Sequence, residues 1–317
     1  MGFRGKAPDG IFKGKALKLL KGLNNMDDRI RKLIRIVIVL VGIGILVYPS
    51  LSEFLMERNS SRAIAVYDDT VSKMQAEKIN ALFEEAESYN KRLAVSTGYE
   101  KPPVNAEGKP ITPESYHSIL NLENNGMMGY ITIPKINETI RIFHGTEEAV
   151  LQVGAGHLES TSFPVGGADT HAVLSGHRGL PSANLFTDLD RLEKGDVFYI
   201  KILNRTFCYK IDRIVTVLPN DTTELAIQKG KDYVTLVTCT PYGVNSHRLL
   251  VRGERTDFDE TQDIPVYHST VELGTFWSRL PVQYRHMLIG VGAIIVFLIL
   301  WTLGKFIIRT VKKRRES

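Results

Sequence analysis

"TLVTCTPYGVNSHRLLVRGER", Thr235 to Arg255, holds two short runs that read as strands on either side of a Pro-Tyr-Gly turn. Side chains alternate along a strand, so Thr235, Val237 and Cys239 share one face and Leu236 and Thr238 the other. In the second run Arg248, Leu250 and Arg252 share a face, with Arg248 nearest the turn. If the two runs are neighbours in a sheet, a thiol at a strand end faces a guanidinium. Such a cation favours thiolate and can hold a developing oxyanion.

Working outward, runs of the same kind recur: "GYITIP" from Gly129, "TIRIF" from Thr139, "HAVLSG" from His171, "DVFYIKIL" from Asp196 and "RTFCYKIDRIVTV" from Arg205. Gly and Pro punctuate them, and helical patches are expected at Glu147 to Val150, Ser182 to Leu192 and Thr223 to Gln228. Many short strands at this spacing predict a mainly β domain over 126–258, a sandwich or closed barrel. There is no internal repeat.

Before the strands, residues 56–95 carry Val71, Met74, Ile79, Phe83, Ala86, Tyr89 and Leu93 at helical spacing, which predicts amphipathic helices. Residues 96–125 have Gly and Pro without periodicity and form a linker. The termini differ in kind from this interior. "MLIGVGAIIVFLILWTLG" from Met287 is eighteen residues without a charge, close to the ~20 needed to cross a ~30 Å hydrocarbon layer. A transmembrane helix is therefore expected over 287–308, after a linker at 259–286. "IVIVLVGIGILVYPSL", Ile36 to Leu51, lies within a second expected span at 33–55, or a signal anchor.

The net charge of +5 is concentrated outside these spans, in tails 1–32 and 309–317. Basic residues on the outer side of both spans place both termini in the cytoplasm and the domain between them outside the cell. Topology thus accounts for the basic tails, and no nucleic-acid partner is expected. A composition of 43% hydrophobic and 24% charged residues is otherwise that of an ordinary globular protein.

A cysteine nucleophile needs a proton donor for its leaving group. Of eight histidines, His177 stands out because "AVLSGHRGLP" puts it just past a strand in a glycine-flanked loop; His157, His171 and His247 remain open on these grounds. The competing reading of Cys239 is a disulfide with Cys208, the only other cysteine, although "TFCYKI" also reads as a half-buried strand with a free thiol. No histidine pair has metal-ligand spacing with a cysteine, so no metal is expected. The thiol can supply the covalent chemistry, so no cofactor is expected.

These residues carry a family resemblance. "TLVTC" followed nine residues later by Arg248, with "LSGHRG" upstream, resembles the sortases, cysteine transpeptidases of Gram-positive cell surfaces. "GHLESTSFPVGG", "THAVLSGHRGLPSANLFTDLD" and the second membrane span are similar to class C sortases, the pilin polymerases. The resemblance implies an eight-stranded sortase β-barrel with short helices, with Cys239 as nucleophile, His177 as catalytic acid and base, and Arg248 as the oxyanion or positioning arginine. It implies cleavage of an LPxTG-like sorting signal between Thr and Gly and transfer of the acyl group to a pilin lysine. Thr235, Leu236 and Thr238 are expected to contact the substrate. One departure stands out: many class C sortases carry a lid with an Asp-Pro-aromatic anchor, and no such tripeptide occurs between Tyr99 and Met128. "TPESYHSILNLENNGMMGY" occupies that place, which makes Tyr116 the lid candidate unless the lid is absent. The alternatives are a housekeeping sortase that anchors surface proteins to a cell-wall precursor, and a membrane-tethered, non-enzymatic β-barrel adhesion module.

Overall fold

The computed structural model describes residues 28–97 and 114–257, with Ile264 and Gly292 as isolated positions. The chain forms two compact units, Met1–Pro49 with Glu272–Ser317, and Ser50–Val271. In the first unit the described residues are the start of α1 (Asp28–Ser72) and the isolated Gly292. Pro49 lies inside this helix and has no N–H for the carbonyl of Ile45. No single described helix is long and apolar enough to cross a membrane; the two arms Ile30–Ile45 and Val47–Ser72 reach that length and composition only together. Ile36, Ile38, Leu40, Val41 and Ile45 are all exposed. Of the expected C-terminal span at 287–308, only Gly292 is among the described residues.

In the second unit eight strands close into a barrel: β1 (Met127–Ile133), β2 (Glu138–His144), β3 (Ala155–His157), β4 (Thr170–Ser175), β5 (Val197–Ile202), β6 (Arg205–Val217), β7 (Asp232–Thr240) and β8 (His247–Thr256). Their order around the barrel is β1-β2-β3-β4-β7-β8-β6-β5. The β2/β3 and β4/β7 pairs are parallel and the others antiparallel. Closure leaves no sheet edge open to pairing with another chain. The expected helix at Ser182 to Leu192 shrinks to a 3-10 turn at Leu189–Arg191, because Leu185 adopts φ +43°, which no right-handed helix accommodates. The patch after Thr223 is likewise one 3-10 turn, Thr223–Leu225. The patch at Glu147 forms α3 (Glu148–Leu151).

The barrel is covered outside as well as filled inside. All seven residues of β1 are buried, against the alternating pattern of β5, because helices pack over it. Tyr67 of α1 donates its hydroxyl to the Met128 carbonyl and accepts the Leu203 N–H, both at 2.8 Å. On α2 (Ala76–Thr97) the predicted stripe Ile79, Phe83, Ala86, Tyr89 and Leu93 is buried. Asn90, one residue beyond Tyr89, bonds both ways with the backbone of Phe163: Nδ2 to the carbonyl at 3.0 Å and the Phe163 N–H to Oδ1 at 2.7 Å. Replacing Asn90 with Ala strands two buried backbone groups, so a loss of about 2–4 kcal/mol is expected in urea denaturation. Asn90→Asp, which keeps the acceptor but sets a buried carboxylate against the Phe163 carbonyl, should lose at least as much.

Candidate active site

The β7/β8 register sets Cys239 directly opposite Arg248, so thiol and guanidinium project from the same face. The next pair on that face is Val237 with Leu250, which pack with Val173, Leu225, Val215 and Val217 into a small apolar cluster separate from the barrel core. The Arg248 guanidinium is held at the turn by carbonyl oxygens, Nη1 donating to Asn245 at 3.2 Å and His247 at 3.1 Å. Arg252, on the same face of β8, is different. It pairs with Asp212, Nε to Oδ1 at 3.1 Å and Nη2 to Oδ2 at 2.5 Å, and stacks over Tyr233 at 4.1 Å.

His177 arrives from the other side of β7. The parallel β4/β7 ladder ends with Ser175 beside Val237, and the next residue continues it: the Gly176 N–H donates to the Val237 carbonyl at 3.0 Å. Thr238 Oγ donates to the Gly176 carbonyl at 2.8 Å. These two bonds pin the chain immediately before His177 to the two residues before Cys239. Only glycine fits at 176, since a Cβ there would lie 2.5 Å from the Phe186 ring. The Phe186 N–H in turn donates to the His177 carbonyl at 3.2 Å.

The other histidines are engaged elsewhere. His157 is fully buried, with Nε2 on the Ser162 carbonyl at 2.8 Å and Nδ1 on the Tyr116 hydroxyl at 2.9 Å; burial pushes its pKa down to about 3. His171 bridges the Ala226 carbonyl and the Thr235 hydroxyl, and burial lowers it to about 4. His247 sits next to Arg248 along β8, so its side chain takes the opposite face from Cys239. Both cysteines are free. Cys208 pairs with Thr256 on β8 whereas Cys239 pairs with Arg248, eight residues away. At about 3.3 Å per residue the two thiols are roughly 26 Å apart, so the alternative disulfide does not form.

A Sortase domain family model matches residues 131–256, nearly the whole barrel. The crystal structure of sortase C1 from Streptococcus agalactiae is 49% identical to the chain, with a TM-score of 0.57, over 62% of this chain and all of that one. The chain belongs to the sortase family. Sortase C of Streptococcus pneumoniae, whose structure is described as bearing on catalysis and pilin substrate specificity, is 41% identical over 62% of this chain and 97% of its own (TM-score 0.55). Sortase C of Clostridium perfringens, solved with the C-terminal cell wall sorting motif, is 42% identical over 62% of this chain and all of its own (TM-score 0.54). Among curated relatives, Sortase D of Bacillus subtilis is 32% identical over 136 residues, 42% of this chain and 66% of that relative. The match thus spans just under two thirds of that relative's length.

In this sortase the residues expected to touch substrate behave differently from the trio. Thr235 is 1% exposed and bound to His171, Leu236 is 0% exposed in the barrel core, and Thr238 is 1% exposed and spent on the Gly176 carbonyl. β7 is central in the barrel and covered on both faces, so alternation did not separate its inward positions from accessible ones. Tyr116 is no lid over the cleft either. It is 0% exposed, packed among Tyr89, His144, His157 and Phe163, and its hydroxyl accepts the Gly145 N–H. Of the linker at 96–125, residues 98–113 lie outside the described residues.

Two further residues complete the surroundings. Arg178 donates from Nη1 to Thr240 Oγ1 at 3.1 Å, pairs through Nη2 with Asp190 and lies 5.9 Å from the Tyr242 ring. It therefore ties the residue after His177 to the residue after Cys239. Glu148, the first residue of α3, brings Oε1 to 3.4 Å from His177 Nε2. Both contacts join segments far apart in sequence, and no local pattern announces them.

Proposed function

We propose that this sortase is a pilin polymerase: it forms a thioester on Cys239 with a surface protein bearing an LPxTG-like sorting signal and passes that acyl group to a lysine of the next pilin subunit. The observation that carries the reading is the Cys239 and Arg248 pair opposite each other on β7 and β8, with His177 pinned alongside. The Cys239 thiolate attacks the Thr carbonyl, and Arg248 steadies the negative charge on its oxygen. His177 protonates the departing glycine amine and then, as neutral imidazole, accepts a proton from the incoming amine. The apolar cluster beneath Val237 and Leu250 offers a surface for the aliphatic part of the signal. The pneumococcal and clostridial class C relatives support the pilin and sorting-motif parts of the reading.

The enzyme is held at the membrane with its barrel outside the cell and both termini in the cytoplasm. The exposed apolar side chains of Ile30–Ile45 and the basic tails support this arrangement. Tethering enzyme and substrate to one surface raises their effective concentration. The test is to mix the full chain in detergent with an LPxTG peptide and measure its intact mass, then add pilin. A mass increase equal to the acyl fragment, followed by a ladder of pilin oligomers on a denaturing gel, is expected. Acylation without a ladder would assign the single-transfer anchoring reaction instead, and no acylation would sink both.

A further inference from the structure

The barrel order β3-β4-β7-β8 puts the elements of the site in a row. His177 follows β4, with Cys239 on β7 to one side and α3 and β3 to the other. Glu148, at the start of α3, brings its Oε1 to 3.4 Å from the imidazole Nε2. The carboxylate is fixed although its side chain is 71% exposed: Gln152, one turn on, donates Nε2 to the same Oε1 at 2.5 Å. That hydrogen bond is also the main reason why the Glu148 carboxyl is held below the usual range, with His177 adding to the effect. Among the described residues Oε2 makes no bond, and no Lys or Arg pairs with Glu148. Nearby charges are committed elsewhere. Arg178 is paired with Asp190, and the Glu147 carboxylate is folded back against Gly145, where a Cβ would lie 2.2 Å from it.

The second half of a transpeptidation poses a problem that this arrangement answers. A lysine side chain has a pKa of about 10.4 and reaches the enzyme as an ammonium, which has no lone pair to attack with. It must be bound, and relieved of a proton, next to the thioester. We infer that Glu148 is the docking carboxylate for the ammonium group of the acceptor, an inference that rests on the transpeptidase reading above. The ammonium sits against the free oxygen of Glu148 and gives one proton to the neutral imidazole of His177. The amine then attacks the thioester carbonyl, forming the C–N bond. As the tetrahedral adduct collapses the C–S bond breaks, and the second proton lost from nitrogen ends on the departing sulfur of Cys239. The imidazolium afterwards returns its proton to solvent. Water needs no cationic docking site, so Glu148 favours transfer over hydrolysis.

The test uses the full chain acylated by an LPxTG peptide and then offered two nucleophiles in parallel at about pH 7: a lysine peptide, which is cationic, and hydroxylamine, which is mostly neutral. The readout is the ratio of transfer product to hydrolysed acid for each. In Glu148→Gln the lysine ratio should fall about two- to five-fold, the worth of one exposed ion pair, while the hydroxylamine ratio holds. Glu148→Lys should depress the lysine ratio further, and added salt should narrow the gap between the unaltered enzyme and Glu148→Gln. Equal falls for both nucleophiles would mean that Glu148 acts through His177 and would overturn the inference, as would no change in either. An unaltered chain that forms no acyl-enzyme would overturn the transpeptidase reading and this one with it; an acyl-enzyme whose partition ignores Glu148 overturns this one alone.

Discussion

Cys239→Ala is expected to lose acyl-enzyme formation entirely and polymerisation with it, a fall of about 10⁴-fold or more. No other group can take over, because the remaining thiol, Cys208, is 4% exposed, lies at the far end of β6 and has its pKa raised by burial. The measurement is the intact mass of the protein after incubation with an LPxTG peptide. A surviving acyl adduct would refute the nucleophile. Arg248→Ala should be milder, about 10²- to 10³-fold, since it removes one charge-stabilising donor and leaves the bond-forming atom in place. Adding His177→Ala to Cys239→Ala should cost nothing more, because groups that act on one bond fail as a unit.

A second large effect concerns pH and the fold rather than the reaction. His157 and His171 are both 0% exposed, with folded pKa values of about 3 and about 4 against about 6.5 in an unfolded chain. Below about pH 6.5 the unfolded chain takes up two protons that the folded one refuses. Stability therefore falls as pH falls, by about 1.4 kcal/mol per unit for each ring, until the folded rings themselves protonate near pH 4 and pH 3. From pH 7 to pH 5 the loss is on the order of 4 kcal/mol. Asp232 works in the opposite direction: burial raises its carboxyl, so protonating it as pH falls favours the fold and returns part of the loss. Urea denaturation of the full chain followed by circular dichroism should give a clearly lower midpoint at pH 5 than at pH 7. His157→Gln should remove part of the difference, the remainder staying with His171 and His144, whose pKa burial also lowers, and identical midpoints for the unaltered protein would refute the account.

Much of the barrel is written in local pattern. β5 alternates as a strand with one covered face should, and the α2 stripe at helical spacing is the face that packs. What local pattern could not reveal has identifiable causes. β3 is three residues long with glycine at its centre, too short for any period to register. Leu185 breaks an apparently helical patch through a left-handed backbone that its side chain gives no hint of. Cys239 and Arg248 were legible together because they belong to adjacent antiparallel strands joined by a short turn. His177 was one candidate among four on its residues alone, since its place depends on a parallel pairing between segments some sixty residues apart, 170–175 with 232–237. The same long reach hides Arg178 and Glu148.

That parallel pairing also governs when the protein becomes reactive. Joining β4 to β7 requires the chain between them, including β5 and β6, to be laid down first, and long-range closures of this kind form late and slowly. Arg248 comes later still, on the last strand of the barrel. Until both pairings have closed, Cys239 has neither His177 nor Arg248 beside it, so the proposed site exists only in the fully closed barrel.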